Sequence, residues 1–504
     1  MNRLMITVAE DGLFFEEPGD LSVRRSQAIV RSYLVLTGLF TLAASLMWAV
    51  NALFMLDAGL DIFEVFVVNA AFTVGLVLFE IPTGVVADST GRRRSFLLSV
   101  LILIIGTVGY LSIAGLGGGL AGFVLVSLIL GIGYSFYSGA AEAWLVDALH
   151  AVGHDGQLDR IFARSEIVAS GAIVLGSVGG GLLGTLDLSW PLVLRAVLLA
   201  GVFGVGLLVM HDVGFVPRAH RMSAMPTEMR KVLQASIDFA RNSRSAQLLM
   251  SVSLIQGMFS IWAFYAAQPY LLQLLRSDAV WVAGIITALM ALATNAGNLA
   301  AEFLARFCGR RTTLLIAAAT ALAIAAAVAG LADSFWTVLL MMLLLNAAQG
   351  LGGPVQRAYL HTIAPSAERA TVASAVSLVG GAGGIVGQLG LGWIARTHSL
   401  ASGYLIAGLT LLVAVPPLLR LRRIHEPGDT IIGRGTAGHK GAAGSGHRSA
   451  TSESESVTGA HPFNGERREA AVDSPQRRLS SERRRGRQAS RSSTVIRRPS
   501  ELGA

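Results

Sequence analysis

At 504 residues, the chain is 53% hydrophobic and only 14% charged, a balance that excludes an ordinary water-soluble multidomain protein. Its single cysteine, Cys308, excludes an intramolecular disulfide and any redox or metal centre built from cysteines. The net charge of +8 sits mostly at one end: from Glu426 onward, 14 Lys/Arg stand against 9 Asp/Glu, which is +5 of the +8.

Residues 1–31 read as a cytoplasmic N-terminal segment, acidic-leaning and then basic at Arg24, Arg25 and Arg31. It lacks the basic start, short apolar core and small-residue site of a cleaved signal peptide. From there apolar runs recur, each long enough to cross hydrocarbon once at about 20 residues. They are Tyr33–Leu56, Phe63–Ala87, Ser95–Gly115, Leu120–Leu149, Arg164–Leu186 and Pro191–Met210. After a polar stretch, Asp212–Ser245, come Ala246–Leu275, Ala279–Ala305, Thr312–Leu331, Phe335–His361, Ala370–Ala395 and Ser402–Leu421. The expectation is an all-α integral membrane fold of twelve transmembrane helices. It divides into a six-helix bundle at 32–210, a cytoplasmic linker at 211–245 and a second six-helix bundle at 246–423. A Gly-, Ser- and Arg-rich tail at 424–504 is expected to be disordered and cytoplasmic. Its clusters Arg483–Arg485 and Arg497-Arg498 suit anionic lipid headgroups.

Lys/Arg placement sets the orientation, because loops rich in these residues stay in the cytoplasm. With the N-terminus inside, the cytoplasmic segments collect Arg92–Arg94, Arg160, Arg164, Arg230, Lys231, Arg310, Arg311, Arg422 and Arg423, among others. The opposite side has Arg276 and Arg396, with Arg195 inside a span. Both termini are therefore expected in the cytoplasm of a multi-pass protein of the cell membrane.

The stretch Gly84-Val-Val-Ala-Asp88-Ser-Thr-Gly91-Arg92-Arg93-Arg94-Ser95 joins the second and third spans. Asp88 follows Gly84 by one helical turn and Glu80 by two, so the three share a face. Gly91 frees the backbone for the turn. The pattern G-x-x-A-D-x-x-G-R-R-x-S, preceded by Pro82-Thr83, resembles the signature loop of major facilitator superfamily transporters. The resemblance extends over roughly Ser32–Arg423 and implies two six-helix halves related by pseudo-two-fold symmetry. A weak internal repeat agrees: Gly309-Arg310-Arg311 lies 218 residues after Gly91-Arg92-Arg93, with Arg306 in place of Asp88 and Glu302 in place of Gly84. Further echoes link Ser138-Gly139 to Gly352-Gly353 and Asp159-Arg160 to Glu368-Arg369.

Within the resemblance, Asp88 contacts the start of the eleventh helix near Thr371–Ala373 when the protein opens outward, as a carboxylate stabilises a helix N-terminus. Arg92 then pairs with an acid at the base of the fourth helix, for which Asp147 is the candidate. Gly84, Asp88, Gly91, Arg92, Arg93 and Asp147 make up the gating set. A proton carrier needs a carboxyl whose proton affinity changes with burial and with nearby cations. Glu80, Glu142 and Glu166 qualify, and each also reads as a gate latch toward Arg92, Arg93, Arg160 or Arg164. Pro82 should loosen the helix beside Glu80. Arg195 either binds an anionic group or snorkels to the outer interface, and snorkelling is the expected behaviour.

The family places the substrate cavity between spans one, four, seven and ten. Cavity candidates are Trp48, Asn51, Tyr134 and Tyr137, then Gln256, Trp262, Tyr265, Gln268, Asn346 and Gln349. Each aromatic alone reads equally as an interfacial or packing residue. Gln268-Pro269 predicts a broken helix end. An aromatic and amide lining without a midplane charge suits uncharged or amphipathic solutes. Gly176-Ser177-Val178-Gly179-Gly180-Gly181 is similar to the core of the antiporter motif in drug-exporting members, with Ser177 where the proline belongs and Ala172 at the upstream glycine. The phosphate-binding pattern G-x-x-x-x-G-K-S/T and the metal-binding pattern H-E-x-x-H are both missing from the sequence. The expectation is a secondary transporter rather than an enzyme, without cofactor or nucleic-acid partner, monomeric among membrane lipids. It would couple protons to efflux of small apolar or amphipathic molecules by alternating access. Uptake of a sugar or metabolite, and a non-transporting membrane sensor, are the alternatives.

Overall fold

The computed structural model describes residues 18–154, 156–215, 230, 234, 241, 243–277, 279–364 and 369–431. The first seventeen residues, most of the expected linker and nearly all of the expected tail lie outside this set. Among the described residues, twelve helices are long and apolar enough to cross a bilayer. Spans 1 to 6 are Val23–Trp48, Ile62–Thr90, Arg92–Gly115, Leu120–Ala151, Leu158–Gly184 and Trp190–Val209. Spans 7 to 12 are Arg244–Leu275, Val280–Ala305, Arg311–Leu331, Phe335–Ile363, Val372–Thr397 and Leu400–Ile424. The protein is an all-α, multi-pass membrane protein, as its sequence leads one to expect. Large apolar side chains such as Leu175, Leu299 and Trp336 stand 70% or more exposed, a cost in water that hydrocarbon removes.

Packing follows a two-fold pattern. Span 1 packs on span 5 as span 7 packs on span 11; span 2 on span 4 as span 8 on span 10; span 3 on span 6 as span 9 on span 12. Two pairings join the halves, span 5 with span 8 and span 2 with span 11. Glycines make these approaches possible, because a side chain at the crossing would strike backbone. A Cβ on Gly180 would run into the Leu46 carbonyl of span 1, and one on Gly181 would lie 2.8 Å from the Gly284 Cα of span 8. In the other half, Gly383 and Gly387 of span 11 meet the carbonyls of Leu254 and Met258 in span 7. The glycine run that resembles the antiporter motif is thus a helix-crossing surface. Ser177, at its missing proline, is fully buried with a hydroxyl that finds no partner.

Three local expectations need correcting. Span 1 ends at Trp48 rather than Leu56, and a separate short helix, Asn51–Asp57, follows it. Its Asn51 is buried and donates to Asn69 Oδ1 at 3.1 Å. Pro269 does not break span 7, which runs unbroken past it. Its flanks are held by packing: Gln268 and Tyr270 are both buried, and the Tyr270 hydroxyl donates to the Ala329 carbonyl at 2.8 Å. Pro82 lies inside span 2, where it leaves one backbone pairing unmade; beside it the Thr83 hydroxyl bonds the Phe79 carbonyl and Ser135 Oγ, both at 2.8 Å. Finally, the echo of Ser138-Gly139 in Gly352-Gly353 does not extend to the course of the helix. Span 4 breaks at Gly139, whose φ of 75° suits glycine, while span 10 stays continuous through Gly352-Gly353.

An even number of crossings puts both ends of the bundle on one side, here the terminal side, opposite a far side. On the far side the halves are locked together. Arg396 pairs with Asp61 at 3.2 Å, Trp393 meets Phe63 edge-on with centroids 5.8 Å apart, and Gly181 touches Gly284. Deeper in, Gln388 donates to Thr73 Oγ1 at 3.0 Å.

Candidate functional site

Between the halves lies a cavity of about 230 Å³, walled by Trp48 of span 1, Ile173 of span 5, Phe264 and Gln268 of span 7, Thr287 to Asn295 of span 8 and Asn346 of span 10. Gln268 is its polar keystone. The Nε2 group donates to the Trp48 carbonyl at 2.8 Å and to Thr287 Oγ1 at 2.9 Å, tying spans 1, 7 and 8 at one point. Asn346 accepts weakly from Thr294 Oγ1 at 3.4 Å and donates to the Met342 carbonyl at 2.8 Å. Asn295 reaches across the halves to Ser170 Oγ at 3.0 Å. A second space of about 70 Å³ adjoins it through Phe264, Met290 and Asn346 and includes Gln349. The lining is apolar with a few convergent amides, the usual build of a small-molecule site.

A third cavity of about 30 Å³ lies mostly in the first half, with Tyr265 of span 7 in its lining and Trp48 as a shared wall. Asn51, Asn69, Tyr110, Tyr134, Arg195 and Tyr265 face it. Arg195 is 2% exposed, so it does not snorkel, which corrects the expectation from its place near a helix end. The cavity walls also carry a charge that the sequence reading left out of them.

The predicted cavity residues therefore divide. Trp48, Gln268, Asn346 and Gln349 line the spaces of the second half and the midline, and Asn51, Tyr134 and Tyr265 line the small one. Trp262 lines none of these three; it is fully buried between Phe66 and Tyr404, with centroids at 5.8 and 4.9 Å. Tyr137 stacks on Phe40 at 3.7 Å and belongs to the packing of the first half. Gln256 is half-buried in span 7, outside all three linings. Sequence reasoning missed Phe264, Thr287, Met290 and Asn295. Span 8 was not expected in the wall, although Asn295 is an amide in the middle of an apolar span and could have flagged it.

At the terminal side the signature loop is assembled. Arg92 Nη1 lies 2.6 Å from Asp88 Oδ1, and its Nε lies 3.6 Å from Asp147 Oδ2, so one guanidinium bridges spans 2 and 4. Gly91 adopts φ 113° at the turn, and Gly84 has open space where a side chain would project. Residues 365–368 and the Thr371 side chain, next to the expected partner of Asp88, lie outside the described residues. Arg93 points elsewhere. Its backbone N–H donates to Asp212 Oδ1 at 2.9 Å and its Nη2 to the Leu207 carbonyl at 2.8 Å, which fastens the start of span 3 to the end of span 6. Asp212 had no signal in the sequence beyond its place after an apolar run.

The second half has the same fastening. Asp429, just beyond span 12 and buried, accepts from the Thr312 N–H at 2.8 Å and from Thr312 Oγ1 at 2.9 Å. Glu426 accepts from Ser245 Oγ at 2.7 Å, Ile431 N–H donates to the Gly309 carbonyl at 3.1 Å, and Arg311 binds the Gly428 carbonyl. The tail was expected to begin at residue 424, yet the described residues up to Ile431 fold back on the loop between spans 8 and 9. The reason is the cap that Asp429 gives the first turn of span 9.

Of the candidate proton carriers, Glu80 is half-buried in span 2, two turns before Asp88, while Glu142 and Glu166 are exposed. Among the described residues none of the three forms an ion pair, so the latch pairings toward Arg160 and Arg164 are not present.

The family model described as Major Facilitator Superfamily matches residues 248–453. An uncharacterized MFS-type transporter, YxaM, of Bacillus subtilis (strain 168), is 22% identical over 409 residues, covering 77% of this chain and 94% of the relative. The crystal structure of the nucleoside transporter NupG superposes with a TM-score of 0.66 at 15% identity, over 78% of this chain and 99% of that one. A D-xylose-proton symporter superposes with a TM-score of 0.57 at 18% identity, over 82% of this chain and 99% of that one. The fold of this chain is the one those transporters share.

Proposed function

We propose that this chain, built on the transporter fold just described, is a secondary transporter of the major facilitator superfamily that moves a small amphipathic solute across the cell membrane by alternating access. The observation that carries the reading is the 230 Å³ cavity between the halves, whose walls come from spans 1, 5, 7, 8 and 10. Because the solute site is shared by the two halves, rocking one against the other exposes it to either side in turn. The far-side lock of Asp61, Arg396, Phe63 and Trp393 is one gate. The bridge from Asp88 through Arg92 to Asp147 is part of the other, on the side we assign to the cytoplasm with both termini. Glu80 is the coupling carboxylate, since it lies in a span, half-buried and without an ion-pair partner among the described residues. Proton-driven efflux is the direction we propose, from the glycine run of span 5. Uptake is the second reading, and the nucleoside transporter and D-xylose-proton symporter with the same fold favour it.

The test is a transport screen in inside-out and right-side-out membrane vesicles with an imposed pH gradient, using amphipathic dyes, an aromatic carboxylate, a nucleoside and a pentose. Wild-type protein should drive at least one of these against its gradient. Glu80→Gln holds the neutral form in nearly the same shape; it should lose gradient-driven movement and keep exchange of one solute for another. Gradient-driven movement undiminished in Glu80→Gln would remove Glu80 from the coupling, and movement of none of the probes in either vesicle orientation would contradict transport.

A further inference from the structure

Arg195 is not accounted for by the fold. It lies in span 6, five residues after Trp190, 2% exposed. A guanidinium keeps its charge at any ordinary pH, and a charge withdrawn from water is costly to hold unless it is paired. Among the described residues no carboxylate lies within ion-pair distance of it. What it does contact is weak. Nη1 donates to the Met47 thioether sulfur at 2.7 Å, the Tyr134 ring lies 6.0 Å from the guanidinium carbon, and Nε has no partner.

The surroundings are incomplete in a matching way. The guanidinium lines the 30 Å³ cavity, roughly twice the space that one water requires on the same measure. On that same lining the Tyr134 hydroxyl, a donor, has no partner; Asn51 Oδ1, also without a partner, is an acceptor and does not contribute to holding an anion. A fork of guanidinium donors and a phenol around a small void are complementary to a planar anionic group. Trp48 lines both this void and the larger cavity, where Phe264 and Met290 offer apolar surface.

We infer that Arg195 receives the anionic group of the transported solute, a carboxylate carried on an apolar or aromatic body that occupies the central cavity. The inference rests on the transport reading and narrows its solute to organic anions. The carboxylate would take two guanidinium donors, with the Tyr134 hydroxyl as a third. The exchange of a sulfur contact for charge-assisted hydrogen bonds supplies the selectivity over neutral analogues.

Binding can be measured without transport. Melting of the purified full-length protein in detergent is followed while benzoate, phenylacetate and hexanoate are titrated, with benzamide, benzylamine and chloride alongside. At least one carboxylate should raise the melting temperature saturably, while the amide and the amine should not. Arg195→Gln should weaken that carboxylate roughly thirtyfold or more, and Tyr134→Phe by several-fold. Arg195→Lys, which keeps the charge but loses the fork, should fall between wild type and Arg195→Gln, and it reads the site even if Arg195→Gln does not fold. Protection by no carboxylate, or equal protection of wild type and the Arg195 variants, would overturn the assignment. Equal saturable protection by chloride would show an inorganic-anion site instead. A carboxylate that protects the protein in an Arg195-dependent way yet is not moved in vesicles would contradict transport of that anion and leave Arg195 as a carboxylate-binding site alone. A solute moved equally well by wild type and Arg195→Gln would do the reverse.

Discussion

The loop between spans 2 and 3 and its counterpart between spans 8 and 9 share one device and differ in another. In both, an aspartate that follows the last helix of its half caps the first turn of the helix after the loop. Asp212 accepts from the Arg93 N–H, and Asp429 from the Thr312 N–H and hydroxyl. Among the described residues, a chain of charges is laid over that cap in the first half only, from Asp88 through Arg92 to Asp147. Its counterpart is an Arg306–Glu302 contact at 3.8 Å with both side chains at least 70% exposed. The shared device is the one that structure needs, since each capped helix start has N–H groups lacking helical partners. The unshared device is the one we assign to switching, since it links two helices on one side of the bundle through a contact that can be broken.

Substitutions can pull these two roles apart. The largest effect is expected from Asp88→Asn and Arg92→Ala. Loss of the bridge should bias the two access states, and a bias of about 2–3 kcal/mol would turn a balanced equilibrium into a one-sided one. Transport in vesicles should fall by an order of magnitude or more, while membrane insertion and melting temperature stay close to wild type. Next come Asp212→Ala and Asp429→Ala. Hydrogen bonds to a charged acceptor contribute about 1.5–3 kcal/mol each. Asp429 accepts two from a buried position, so its loss should lower the melting temperature in detergent more than the loss of Asp212. The smallest effect is expected from Arg306→Ala or Glu302→Ala, because exposed ion pairs contribute about 0–1 kcal/mol. Neither melting nor transport should change measurably. A transport defect in Arg306→Ala as deep as that in Arg92→Ala would erase the distinction between the loops.

Much of this was legible in the sequence, and what was not has a common cause. Apolar runs, Gly91 and the arginine placement carry the twelve spans and the signature loop, because length and charge act locally. The degenerate repeat at Gly309 was readable by offset alone. The helix breaks were not. Pro269 looks like an end by local rules, yet Gln268 and Tyr270 anchor the helix through partners at Trp48, Thr287 and Ala329, far away in the chain. Trp262 and Tyr137 share the chemistry of a binding-site aromatic, and only packing against Phe66, Tyr404 and Phe40 assigns them to the core. Arg195 was misread for the opposite reason. Position in the span allows snorkelling, but rotation about the helix axis decides burial, and sequence does not record that rotation for an isolated charge.

The central claim is that the halves must part on the far side for the solute to pass. Asp61→Cys with Arg396→Cys, in a Cys308→Ser background, places two thiols at the far-side ion pair, whose charged atoms lie 3.2 Å apart. A short bifunctional thiol reagent that is cleaved by reductant then staples spans 2 and 11. Vesicle transport should stop on cross-linking and return on reduction, with either single-cysteine protein unaffected. Full transport by the cross-linked protein would contradict alternating access through this gate.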